Sequence, residues 1–112
     1  MKCLSLRQPY AELLISGKKT IELRKWNTNF RGKFLIHASK NINKEKCKSL
    51  RIDYTKLNIG MIIGRAILYD VKKYDDKLQF MKDKSRHYAN GNLFNPHIYV
   101  SILRMPNLLI DT

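Results

Sequence analysis

The stretch "MIIGRAILYDV", Met61 to Val71, is apolar on both of its alternating rows. Ile62, Ala66 and Leu68 form one row; Met61, Ile63, Ile67 and Tyr69 form the other. Strand side chains alternate between faces. The pattern therefore predicts a strand covered on both sides, a central strand around which a sheet has to be assembled. Gly64, in its middle, predicts a bulge where another backbone comes close.

The rest of the chain supplies partners for that strand. "KCLSLR" sets Leu4 and Leu6 against Cys3, Ser5 and Arg7 and reads as a first strand. "QPYAELLISG" reads as a short helix, with Pro9 at its first position, Tyr10, Leu13 and Leu14 on one face, and Gly17 closing it in a left-handed conformation. "NTNFRG" is turn chemistry. In "KFLIHAS", Phe34, Ile36 and Ala38 take the core side and Lys33, Leu35 and His37 the other. Asn41 to Ile52 is polar, with Cys47, Leu50 and Tyr54 near helical spacing, and reads as a surface helix. Asp75 and Asp76 favour the start of a helix carrying Leu78 and Met81, and "NGN" at Asn90 to Asn92 breaks it. "HIYVSIL" alternates Ile98, Val100 and Ile102 as a late strand, and "RMPNLLID" reads as a short closing edge. Only one crossover resembles a strand–helix–strand unit, which disfavours a doubly wound parallel sheet. The fold class is α+β, a small curled or closed sheet with helices at its rim, in a single domain over residues 1–112.

"GKKTIELRKW", Gly17 to Trp26, is the segment with chemistry in it. As a strand it turns Ile21 and Leu23 into a core. Thr20, Glu22, Arg24 and Trp26 point the other way, with Lys19 at the start. An acid, a base and a large aromatic then share one row within roughly 14 Å, at about 3.4 Å per residue. That row is either a solvated strand face or the wall of a site.

Lys plus Arg number 22 against 9 acids, a formal charge of +13 and a pI near 10.0. In so small a chain this favours a polyanionic partner, most often nucleic acid. The cations are spread along the chain, as on a folded surface rather than in a basic tail. No apolar run approaches the ~18 residues of a membrane span, and the N-terminus does not read as a signal peptide. Cys3 and Cys47 lack metal-ligand or disulfide spacing. They read as two buried, reduced thiols of a cytoplasmic protein. No clustered His/Cys/Asp set, G-x-S-x-G elbow or Gly-rich phosphate loop is present, so neither metal nor cofactor is expected.

The string "SLRQPYAELLISGKKTIELRKWNTNFRGKFLIHAS" resembles the ASCH (activating signal cointegrator homology) domain family of the PUA-like superfamily. A Gln-Pro helix start, Gly-Lys-Lys-Thr, Glu-x-Arg, Trp and Arg-Gly occur in that order. The likeness continues more loosely through "NIGMIIGRAILYDVKKY". It implies a PUA-like β-barrel of about five to six strands with two or three flanking helices, a cleft between barrel and helices, and a role in RNA or nucleoside recognition. The tail from Met105 lacks the longer closing strand common in the family, and an edge left open there offers pairing to a second copy, a homodimer.

Within such a cleft Lys19 is a compact cation, and Arg24 a planar fork for phosphate or a base edge. Glu22 is an acceptor for amino groups; equally, it pairs with Lys19 or Arg24 only to neutralise the strand face. Trp26 and Tyr10 either stack unpaired bases or pack the interior. Arg7 and Gln8 fall where strand meets helix, and Arg31 at a turn suited to phosphate. His37 reads as a structural histidine. The expected nucleic-acid-binding set is Arg7, Gln8, Tyr10, Lys19, Glu22, Arg24, Trp26 and Arg31, with RNA ahead of DNA as partner. Some family members are amidohydrolases acting on acetylated cytidine and some are ribonucleases. The resemblance carries the Lys of "GKKT" onto Lys19 as an activating group, while the family's Thr a few residues on aligns with Glu22. Lys19 and Glu22 are thus the candidate catalytic pair of the hydrolase alternative.

Overall fold

The computed structural model describes residues 2–24, 28–89 and 99–104. Its strands are β1 (Cys3–Gln8), β2 (Ile21–Arg24), β3 (Gly32–Ile42), β4 (Met61–Lys72) and β5 (Tyr99–Arg104). Its helices are α1 (Tyr10–Ile15), α2 (Lys44–Ser49), α3 (Lys77–Lys82) and α4 (Lys84–His87), with a 3-10 turn at Tyr54–Lys56. The sheet order is β1-β3-β4-β5-β2. β1 runs parallel to β3, and the other neighbours are antiparallel. The sheet curls into a half-barrel, with β1 and β2 as its two free edges among the described residues. Among the described residues there are four short helices rather than two or three, because Asp83 ends α3 and begins α4.

Local chemistry accounts for most boundaries. Gly17 sits at φ +81° and donates to the Leu14 carbonyl, closing α1 as its sequence implies. Asn43 caps α2 by accepting from the Lys46 N–H, and Asp76 caps α3 by accepting from the Gln79 N–H. In α3 the buried side chain is Phe80, whereas Leu78 and Met81 are exposed. The helix turns its Phe80 face to Tyr74 and His87, which leaves the other two apolar residues outside. Tyr54 is likewise an exposed residue of the 3-10 turn, outside α2, while Cys47 is buried. Cys3 is exposed, correcting the expectation of two buried thiols: it lies on the outward row of an edge strand.

β4 is central, between β3 and β5, yet it is not covered on both sides. The pairing Ile36–Gly64 is followed by His37–Ile62, so Ile63 is an extra residue and the facing of the strand reverses there. Ile62, expected on the row of Ala66 and Leu68, is 53% exposed for that reason, and Tyr69 on the outer face is 59% exposed. The bulged residue is Ile63, next to Gly64, where the sequence indicates an irregularity. The group that comes close is a side chain, however, since a Cβ on Gly64 would meet Ile15 Cδ1 at 2.6 Å.

Two apolar clusters result among the described residues. Leu6, Leu14, Phe34, Ile36, Ala66, Leu68 and Leu103 fill the half-barrel under α1. Ile21 and Val100 pack with Tyr74 and Phe80 on the opposite side of the β2–β5 pair. Leu103, rather than Ile102, therefore joins the main core, and the apolar row of β2 serves the second cluster. The expected closing edge in "RMPNLLID" from Met105 on, the pairing surface proposed for it and the break at "NGN" lie outside the described residues, Arg104 being the last residue of β5. No helix among the described residues is long and apolar enough to cross a membrane.

Gly64→Ala is expected to cost about 1 kcal/mol, the lower end for overpacking a filled site. In an Ile15→Val background, which lacks Cδ1, most of that cost should vanish. Urea denaturation of the two single variants and the double variant checks it; strict additivity would be the contrary result.

Candidate nucleic-acid interface

After Gly17 the chain folds back on α1, with the Lys19 N–H donating to the Leu13 carbonyl at 2.9 Å. This drives the Lys19 side chain inward, where it is 3% exposed. Its ammonium donates to the carbonyls of Ile21 and His87, the latter at 3.0 Å, and lies 3.3 Å from Glu22 Oε1. An ammonium has three donors, and these three acceptors engage them. Burial pulls the Lys19 pKa below its ordinary value, and Glu22 opposes that shift. Glu22 Oε2 in turn lies 2.9 Å from Arg24 Nη2. Lys19, Glu22 and Arg24 thus form one chain of alternating charge, progressively more exposed toward Arg24.

His87 is a residue the sequence did not mark. It is buried, and it belongs to α4, far along the chain from Lys19. Its Nδ1 accepts from the Ala89 N–H at 2.9 Å, so Nε2 carries the proton and donates to the Phe80 carbonyl at 2.7 Å. Both ring nitrogens are committed in the neutral form. Burial lowers the His87 pKa accordingly, the Phe80 carbonyl acting against it. Its own carbonyl is free to hold Lys19. Only a contact across 68 positions could reveal this role, and no local pattern in "SRHYA" encodes it.

Around this chain of charges lies an open cavity of about 610 Å³, within the size range of small-ligand sites. β1 contributes Arg7, α1 contributes Tyr10, β2 contributes Glu22 and Arg24, α2 contributes Lys46, and the residues after α4 contribute Tyr88. The two edges of the sheet therefore face each other across it. Among the described residues its cations are Arg7, Lys19, Arg24 and Lys46, and its acids are Glu22 and Glu45. Lys46, also unmarked by the sequence, has its pKa lowered by burial and then by the nearby Lys84. The excess is positive where it can meet a ligand.

The expected site residues fall into three groups. Arg7, Tyr10, Lys19, Glu22 and Arg24 come together at the cavity. Arg7 lies 5.8 Å from the Tyr10 ring centre, and the Tyr10 hydroxyl accepts from Asn43 at 3.4 Å. Gln8 and Arg31 do not join them. Gln8 is wholly buried, donating to the Asn58 carbonyl at 2.8 Å and accepting from the Glu12 N–H at 2.9 Å, so it ties β1 to α1 and to the segment before β4. Arg31 donates to the carbonyls of Thr28 and Phe30 and lies 3.6 Å from Asp70, bracing its own turn. Trp26 lies outside the described residues.

The sequence matches the ASCH domain over residues 4–103. The chain belongs to the ASCH domain family. Over 56 residues it is 39% identical to activating signal cointegrator 1 of Mus musculus and, equally, of Homo sapiens. That match covers 49% of this chain and 10% of each relative, so the chain spans about a tenth of the length of the curated proteins it resembles. The crystal structure of ASCH from Zymomonas mobilis superposes with a TM-score of 0.65 at 17% identity, over 91% of this chain and 65% of that one. Mutant forms of that protein superpose with a TM-score of 0.63. At such identity the likeness is one of fold, and it is the ASCH fold that sets β1 and β2 across the cavity here.

Two outcomes follow from the Lys19 anchorage. Lys19→Met leaves two buried carbonyls and Glu22 without their donor and should cost about 3–5 kcal/mol in urea denaturation. His87 has a folded pKa below its ordinary 6.5, so the unfolded chain binds the proton more readily. The stability it contributes is complete above about pH 6.5 and is lost as pH falls below that value. Urea midpoints should decline from pH 6.5 to 5, and His87→Gln should remove part of that slope.

Proposed function

We propose that this ASCH domain binds single-stranded RNA, taking an unpaired nucleotide into the cavity between β1 and β2. The observation that carries the reading is the cavity itself. Four cations from separate elements converge on it, with Tyr10 at its wall as a stacking surface. The PUA-like family to which the chain belongs is generally associated with RNA binding. In this reading Arg7 and Lys46 hold phosphate, Tyr10 stacks and Arg24 meets the base. Lys19 is a fixed positive charge behind them. DNA is the weaker partner.

A hydrolase acting on an acylated cytidine or on RNA would use the Lys19–Glu22 contact at 3.3 Å. The ammonium there also donates to two backbone carbonyls, so its donors are committed inside the protein and it is poorly placed to meet a substrate. That geometry favours binding over catalysis.

Titration of single-stranded RNA at several salt concentrations tests the proposal. With three phosphates neutralised, log affinity should fall against log salt with a slope of roughly −2. Arg7→Ala should make the slope shallower by about 0.7 and weaken all sequences alike. Absence of binding at low salt would overturn the reading. Incubation with acylated cytidines and RNA oligomers, followed by mass analysis, gives the hydrolase its chance; products that vanish in Lys19→Ala would favour it.

A further inference from the structure

Arg24 keeps part of its guanidinium idle. Nε and Nη2 are both buried, and neither has a hydrogen-bond acceptor among the described residues. Glu22 Oε2 lies 2.9 Å from Nη2, close enough for an ion pair but without a directed hydrogen bond. The Nε–H and the inner Nη2–H of a guanidinium point the same way and form its side-on fork, which fits two adjacent acceptors on a planar group. Buried donors are nearly always satisfied in folded proteins, so an idle fork at a cavity wall calls for an acceptor from outside the chain.

The surroundings narrow what that acceptor is. Glu22 and Arg24 line the main cavity and also a second one, of about 310 Å³, inside the half-barrel. The second cavity is walled mainly by Leu4, Phe30, Phe34, Leu68 and Leu103, with Lys2, Thr28 and Ser101 as polar members of its lining. A phosphate or carboxylate has two oxygens for the fork. It would, however, bring negative charge beside the Glu22 carboxylate and against apolar side chains, where desolvation penalises it. A neutral flat ring meets neither obstacle. Its face suits the apolar walls, and only its edge has to match the fork.

We propose that Arg24 reads the base of the bound nucleotide, selecting a ring edge with two adjacent acceptors: O6 and N7 of guanine, or O2 and N3 of cytosine. Adenine offers an acceptor beside an amino donor on its N6/N7 edge, and uracil sets an N–H between its two carbonyls. Either would bring a donor against the guanidinium. Glu22 adds to the selection, because both favoured bases carry donors next to those acceptors (N1–H in guanine, the 4-amino group in cytosine) that a carboxylate accepts. The inference rests on the RNA-binding reading of the same cavity.

The test uses short single-stranded RNAs that differ at one position among uracil neighbours, titrated against the whole chain. The guanine or the cytosine oligomer should bind about tenfold or more tightly than the adenine and all-uracil ones. Replacing the preferred base by 7-deazaguanine or 3-deazacytosine, which removes one acceptor and keeps the ring, should cancel that advantage; which analogue does so tells the two bases apart. Arg24→Lys retains a charge and removes the fork, so the preference should disappear while the salt slope stays the same. Equal affinity for all four bases overturns the inference and leaves the binding proposal standing. A preference that survives the deaza base or Arg24→Lys also overturns it. Failure of every oligomer to bind removes both readings. The deaza comparison needs no variant protein, so it stands even where Arg24→Lys folds poorly.

Discussion

The buried ammonium of Lys19 is the contact on which the arrangement of the site depends. It draws together three pieces of chain that share no sheet ladder: the turn after α1, the start of β2 and the end of α4. A cation in so dry a position is tolerable only because a carboxylate and two carbonyls surround it. Those same partners fix where Glu22 and, through it, Arg24 stand. The cavity wall is therefore positioned by a structural lysine, with the cavity-facing groups arranged outward from it.

The β2–β5 pair shows how a short strand can serve two masters. Its apolar row, Ile21 with Val100, is covered by Tyr74 and Phe80 from the segment around α3. The opposite row, Glu22 across from Ser101, faces the hollow of the half-barrel, where main-core residues such as Phe34 and Leu103 also stand. A charged row turned toward a barrel interior is costly without solvent or partners. Here the pairing of charges and the open cavity supply both. The helices that cover the apolar row also deliver the His87 carbonyl to Lys19, so packing and site assembly are one event.

Most local features were legible in the residues. Helix α1, its left-handed end at Gly17, the core row of β3 and the bulge beside Gly64 follow from periodicity, glycine conformation and the resemblance to the ASCH family. So did the grouping of Lys19, Glu22 and Arg24, because their spacing on one strand is a local property. The errors have a common cause. Alternation puts Ile62 inward, because it cannot foresee that Ile63 is skipped in pairing with β3. The junction of strand and helix points Gln8 at the cleft, because the sequence does not disclose that Asn58 lies against it.

The sequence by itself determined the α+β class, the family, the basic surface and the chemical character of the strand that lines the site, since each depends on neighbours a few residues apart. Tertiary structure alone decided that Lys19 is enclosed, that His87 and Lys46 join the site, that Arg31 stays away and that β1 and β2 face one another across a cavity. Those outcomes depend on contacts between residues tens of positions apart, and on which buried polar groups find a partner. No local pattern carries that information.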